Sequence, residues 1–211
     1  MWAEHDLNDV ATPRGFARDP DLVHGFYNAR RAGCLRARPN AAHAALARLA
    51  GSGTVDLTLV TQNIDDLHER AGQGQVIHMH GQLLRGLCAA CGARWDAPAV
   101  MAAADPCPVC QASATRPDVV WFGEMPYHME RILGALARSE LFVAIGTSGE
   151  VYPAAGFADA ARQAGARTLE LNLEATGGRF DAVRAGPATE VVPAWVDAVM
   201  GGAPAGGASA G

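Results

Sequence analysis

The chain has 211 residues, 17 basic and 22 acidic, with 49% hydrophobic residues, which suffices for one ordinary domain, or a domain with a small inserted module, around a real core. Every basic residue is arginine, which excludes a Schiff-base lysine, a Walker lysine and modification of the chain's own lysines. The net charge of −5 without a basic run argues against nucleic-acid binding, and no stretch has the apolar length of a membrane span or the charged start of a leader, so a soluble cytoplasmic protein is expected.

In chain order, "DPDLVHGFYNARRAG" and "PNAAHAALARLAG" carry helical spacing, with Pro20 suited to a first turn. After Gly51 and Gly53, "VDLTLV" reads as a buried strand, and "TQNIDDLHERAG" as a capped helix closing at Gly72. "QVIHMHG" is a second strand. Past a cysteine-rich stretch come "PDVVWFG" as strand, "YHMERILGALARSE" as helix, "LFVAIG" as strand, "AAGFADAARQAG" as helix and "ARTLELNLE" as strand. "VVPAWVDAVM" closes the fold as a helix, and "GGAPAGGASAG" is a tail unable to build a core. Strands alternating with helices predict an α/β fold, a parallel sheet covered by helices.

The cysteine-rich stretch has the pattern C-x2-C-x15-C-x2-C at Cys88, Cys91, Cys107 and Cys110. Two close pairs of soft thiolates suit one tetrahedral zinc, and a closed set of four leaves no open position, so the metal is structural. Two disulfides, or scattered buried thiols, are the competing readings and fit a cytosolic chain poorly. Cys34 lies apart on a predicted helix as a small packing residue. His78 and His80 share a face of an extended segment, as metal ligands, mutually satisfied core groups or catalytic groups. The zinc does not need them, which leaves an acid/base role at a strand end beside a core role.

Three further groups are open to two readings each. Asn63 and Asp65 follow a strand end, where open parallel sheets bind ligands, yet both residue types are common helix N-caps. Gly146, Thr147 and Ser148 could offer N–H groups and hydroxyls to a phosphate or ribose, although any strand-to-helix turn tolerates them. Tyr27 and Arg30 share a helix face and could hold a carboxylate by forked hydrogen bonds, or be a packed Tyr beside an exposed Arg.

Taken together and in order, "TQNIDDLH", "HMHGQL", the paired C-x2-C, "VVWFGEMP", "AIGTS" and "LNLE" resemble a sirtuin over about residues 1 to 200. The "FYNARR" segment is similar to the bacterial and mitochondrial subgroup that also removes acidic acyl groups. The resemblance implies an NAD-consuming protein lysine deacylase that acts on acylated lysine proteins or peptides, with neither nucleic acid nor membrane as partner. It implies a Rossmann-like NAD-binding domain over 1–83 and 117–200, with helices on both faces and a helical insertion near 20–50. A zinc-ribbon module over 84–116, holding one structural zinc, and a flexible tail over 201–211 complete the expected organisation.

The same resemblance assigns roles. Gln62, Asn63, Ile64 and Asp65 go to the cofactor's nicotinamide and its ribose, Gly146, Thr147 and Ser148 to phosphate and ribose, Asn172, Leu173 and Glu174 to the adenosine ribose, and Ala188 to the adenine edge. His80 is the general base, His78 is structural, "VVWFGE" pairs with the substrate peptide, and Tyr27 with Arg30 binds a succinyl carboxylate. In the implied mechanism the acyl oxygen attacks C1′ of the nicotinamide ribose and nicotinamide leaves. His80 then activates a ribose hydroxyl toward the alkylimidate, and water releases lysine and O-acyl-ADP-ribose.

Sirtuins of this group begin with a strand and a glycine-rich loop before the point where this sequence starts. The early Gly51-Ser52-Gly53 precedes a strand and cannot replace that loop, so the expectation is a sheet without its first strand and a chain nearly inactive with NAD as it stands. A catalytically silent sirtuin-like protein that binds acylated peptides is the alternative. A zinc-ribbon nucleic-acid module is disfavoured by the acidic balance and by Arg94 alone lying between the cysteine pairs.

Overall fold

The structure, a computed structural model, describes residues 6–147, 153–177 and 180–202. In chain order the elements are α1 (Leu7–Val10), α2 (Pro13–Arg18), α3 (Pro20–Arg36), α4 (Ala41–Gly51), β1 (Val60–Thr61), α5 (Leu67–Arg70), β2 (Ile77–His78), β3 (Gly81–Cys88), β4 (Arg94–Asp96) and β5 (Thr115–Val119). They continue with α6 (Met129–Leu136), β6 (Leu141–Ile145), a 3-10 turn (Ala154–Gly156), α7 (Phe157–Gln163), β7 (Arg167–Asn172), β8 (Ala182–Ala185) and α8 (Ala188–Met200). The chain divides into two compact units: Met1–Arg38, Val60–Asp66 and Ile77–His128 form one, and Pro39–Leu59, Leu67–Val76 and Met129–Gly211 the other.

In the first unit, α3 starts where Asp19 accepts from the Leu22 N–H and Pro20 occupies the first turn, where no N–H is needed. Its buried face, Val23, Phe26, Tyr27 and Cys34, joins Val10, Leu83, Val119 and Trp121 in one core. Arg31 is buried on the same helix and donates to the Leu83 carbonyl, to Asn28 Oδ1 and to Met101 Sδ. Arg31→Ala is therefore expected to lower the unfolding free energy by about 3 kcal/mol in urea titrations, since two buried acceptors lose their donor at about 1–3 kcal/mol each.

β1 and β2 pair in parallel, and β4-β3-β5 form an antiparallel sheet. Gly81, at φ +82°, opens β3 directly after His80. A Cβ there would run into the Asp118 carbonyl, so only glycine lets β5 approach this closely.

The second unit is built on the parallel ladder β6-β7-β8. α4 presents Ala42, Ala45, Leu46 and Leu49, and α8 presents Val192, Trp195, Val196 and Val199, both at i, i+3, i+4, i+7 spacing, onto Leu169 and Leu171 of β7. Asn40 and His43 close a reciprocal capping box that fixes the start of α4.

The parallel pairings and helices expected of an α/β chain are present, with different bounds. "VDLTLV" contributes to strand pairing only at Val60, and the helix expected over 61–72 is confined to Leu67–Arg70. Residues 62–66 stay irregular because Thr61 Oγ1 takes the Asn63 N–H and the Ile64 carbonyl takes the Leu83 N–H. "PDVVWFG" stops being strand at Val119, and β8 was not anticipated from its short "AVRA" stretch.

Candidate functional site

The four cysteine sulfurs lie within 4.8 Å of one another, and none forms a disulfide. Cys88 and Cys110 Sγ are 3.7 Å apart, and Cys91 and Cys107 Sγ 3.8 Å. These separations match the edge, about 3.8 Å, of a tetrahedron with the usual zinc–sulfur distance of about 2.3 Å, and exceed any S–S bond. Backbone N–H groups of Cys110 and Val109 bring Cys107 down to about 6. Cys91, helped by the Ala93 backbone but facing the sulfurs of Cys110, Cys88 and Cys107, is pushed up to about 12. Four thiolates together thus fit one dication at the end of the β3–β5 ribbon.

His80 sits at the turn between β2 and β3. Its Nδ1 lies 3.1 Å from the Gln62 carbonyl oxygen, which can only accept, so Nδ1 carries the proton and Nε2 keeps a lone pair. Burial draws its pKa below 6.5, with the Gln62 bond opposing, which keeps the ring neutral near pH 7. His78, on β2, is buried. The unit therefore brings Gln62 and His80 together through the Gln62 backbone. Asn63 is exposed, Asp65 and Ile64 are half-buried, and α5 begins only at Leu67, so neither Asn63 nor Asp65 lies directly at a helix start.

Tyr27 is buried on α3, and its hydroxyl oxygen accepts from Trp121 Nε1 at 2.9 Å, leaving the phenolic proton for another acceptor. Burial raises the Tyr27 pKa, against the Trp121 bond and the charges of Arg30 and Arg116, so the phenol stays protonated. The Arg30 guanidinium lies 5.4 Å from the Phe26 ring centre. Trp121 is itself fixed: the Arg116 guanidinium stacks 3.4 Å from its ring centre, and Glu124 takes both forked Arg116 donors at 2.6 and 2.9 Å and the Trp121 N–H at 2.8 Å. Although burial pushes the Glu124 carboxyl up, Arg116 and the Trp121 N–H hold it below its usual range. This Arg116–Trp121–Glu124 support of Tyr27 was missed in the sequence. Trp121 stood in a quoted motif, but nothing local links it to a tyrosine 94 positions away. The N–H groups of Val120, Trp121, Phe122 and Glu124 are all engaged within the unit.

In the second unit Gly146 and Thr147 follow β6, and Asn172, Leu173 and Glu174 lie at and beyond the end of β7. Asn172 Nδ2 donates to the Thr147 carbonyl at 2.8 Å and to Glu170 Oε1 at 3.2 Å, and its Oδ1 accepts from the Leu173 N–H. The Asn172 side chain thus ties two strand ends together, while Leu173 and Glu174 are exposed beside it. Glu170, buried and bonded to Thr176 Oγ1 at 2.6 Å, was not singled out in the sequence, where it reads as an ordinary alternating strand residue. Ala188 opens α8 after Pro187, which offers no side-chain cap. Ser148 lies outside the described residues.

Comparison with known proteins agrees with these motifs. The profile of the Sir2 family matches residues 1–153. An NAD-dependent protein deacylase of Caulobacter vibrioides is 53% identical over 206 residues, covering 95% of this chain and 87% of the relative. One of Escherichia coli K12 is 51% identical over 211 residues, covering 98% and 76%. Among solved structures, a Sir2 homolog in complex with NAD superposes with a TM-score of 0.88 at 35% identity, covering 96% of this chain and 80% of that one. A second, bound to a myristoylated histone peptide, gives 0.74 at 31% identity, covering 92% and 85%.

Proposed function

The chain belongs to the Sir2 family, and we propose that it removes acyl groups, succinyl as well as acetyl, from protein lysines while consuming NAD. The observation that carries this reading is the polarity of His80: Nδ1–H is anchored on the Gln62 carbonyl and Nε2 is free to take a proton. NAD supplies an electrophilic ribose carbon and, later, the ribose hydroxyl that receives the acyl group. His80 Nε2 is the base that removes the proton from that hydroxyl. Gln62, Asn63, Ile64 and Asp65 orient the nicotinamide end. Gly146, Thr147, Ser148, Asn172, Leu173, Glu174 and Ala188 serve the phosphate and adenosine end. Cys88, Cys91, Cys107 and Cys110 hold zinc, which shapes the ribbon and takes no part in the chemistry. With the N–H groups of Val120, Trp121 and Phe122 already engaged within the unit, peptide pairing would rest on Gly123 and on carbonyls of this segment, consistent with loose sequence preference. The reading places the protein in the cytoplasm with acylated proteins as partners; among the described residues no helix is long and apolar enough to cross a membrane.

Acyl choice is assigned to Tyr27 and Arg30. A succinyl carboxylate entering a mostly apolar pocket needs a charged partner, and Tyr27, protonated and with its oxygen already served by Trp121, can only donate outward. Arg30→Met keeps the apolar stem and removes the fork. It is expected to raise KM for succinyl-lysine peptide at least tenfold while changing acetyl-lysine peptide by less than about threefold. Tyr27→Phe should act in the same direction by about 0.5–1.5 kcal/mol. The comparison is kcat/KM for both peptides at one NAD concentration. Parallel loss on the two substrates would make Arg30 a support of α3 and the enzyme a plain deacetylase.

A further inference from the structure

A cavity of about 390 Å³ opens in the first unit on the side of the β4-β3-β5 sheet, and none of the residues assigned above to NAD, acyl group or zinc lines it. Its size is that of a small-molecule site. The wall is cationic. Arg85 on β3 and Arg94 on β4 both line it, with His78, Gln82 and His128. The one acid in the lining is Asp118, and both its oxygens are taken: Oδ1 accepts from the Tyr127 hydroxyl at 2.9 Å and Oδ2 from Arg94 Nε at 3.0 Å.

The two arginines differ in a way that points to a ligand. Arg94 is held in place, with Nε on Asp118 and the guanidinium 5.0 Å from the Tyr127 ring centre, so it presents a fixed cation to the cavity. Arg85 has no such support. Its Nε is buried and meets no acceptor, and Asp96, opposite it on β4, closes no ion pair with it. A buried guanidinium donor without an acceptor is costly and rare, and here it borders a space large enough to hold one. His128 adds a second departure from routine geometry: it sits at φ +60°, a left-handed conformation that few residues other than glycine adopt, directly after Tyr127, whose N–H is fixed on the Met79 carbonyl.

We propose that this cavity is a second binding site of the protein, for a small organic anion whose carboxylate or phosphate group is gripped between the guanidinium groups of Arg85 and Arg94. Asp118 and Tyr127 hold Arg94 in position, and the Gln82 carboxamide meets the polar remainder of the ligand. The anion supplies the acceptor that Arg85 lacks and balances the excess of cationic over acidic groups in the wall.

The test uses the zinc-loaded full chain, titrated separately with citrate and with inorganic phosphate, by calorimetry and by following the arginine Nε–H resonances. At least one probe is expected to bind with a dissociation constant of about 1 mM or tighter and to shift the Arg85 Nε–H signal. Arg85→Met should weaken binding at least tenfold, Arg85→Lys by less, and Arg30→Met not at all, which separates this site from the acyl pocket. Citrate alone, or phosphate alone, decides between the carboxylate and the phosphate class. If Arg85→Met loses zinc or fails to fold, Gln82→Leu replaces it, with an expected weakening of at least threefold. Failure of both probes to bind, or affinity unchanged by the substitution in a folded, zinc-loaded protein, would overturn the proposal.

Discussion

His80→Ala is expected to lower kcat by at least about 10²–10⁴-fold, the usual contribution of a positioned general base, with the protein still folded and zinc-loaded. The position of the His80 proton decides this. Gln62 presents a backbone carbonyl to Nδ1, which fixes the tautomer, and burial lowers the pKa from 6.5, so the basic form dominates at neutral pH. The wild-type kcat/KM should therefore fall on acidification with its inflection below 6.5, because protonation of Nε2 removes the base. His78→Ala is expected to be milder on turnover, since His78 is buried on β2 and the Gln62 carbonyl is taken by His80. Equal loss in both folded variants would show that the two histidines have been given the wrong roles.

Loss of zinc is the second large effect. One zinc per chain is expected by elemental analysis, and Cys88→Ala, or prolonged exposure to a strong chelator, should unfold the β3–β5 ribbon. Structural zinc in small modules contributes apparent binding energies of about 10–16 kcal/mol, more than a whole domain's stability. The consequence reaches the base, because β3 begins at Gly81 and the Val120 N–H bonds to the His80 carbonyl, so the strands tied down by zinc also carry His80. Turnover and near-ultraviolet circular dichroism should be lost together. A folded, monodisperse, zinc-free protein would contradict this account.

The cysteine spacing alone determined the metal cluster, since two C-x2-C turns need only meet to place four sulfurs around one point. The helices α3, α4 and α8 were equally legible, because apolar residues at helical period and caps such as Asn40 are local signals. What was hidden depended on distant partners. Residues 62–66 carry a helix-like sequence, but the Leu83 N–H captures the Ile64 carbonyl and holds the segment irregular. Trp121 serves Tyr27, Arg31 serves the Leu83 carbonyl, and Glu170 ties Asn172 to Thr176, none of which any spacing rule announces. Nothing in the local sequence marks Arg85, whose Nε the fold leaves buried beside a cavity.

The central claim is that this chain transfers an acyl group from lysine to the ribose of NAD, and mass spectrometry of the reaction products tests it most directly. With acetyl-lysine peptide and NAD, the account predicts equal amounts of free-lysine peptide, nicotinamide and O-acetyl-ADP-ribose, and at least about a hundredfold less free-lysine peptide and O-acetyl-ADP-ribose from His80→Ala at matched times. Deacetylation that proceeds without NAD, or that yields free acetate with no acyl-ADP-ribose formed at any time, would contradict it.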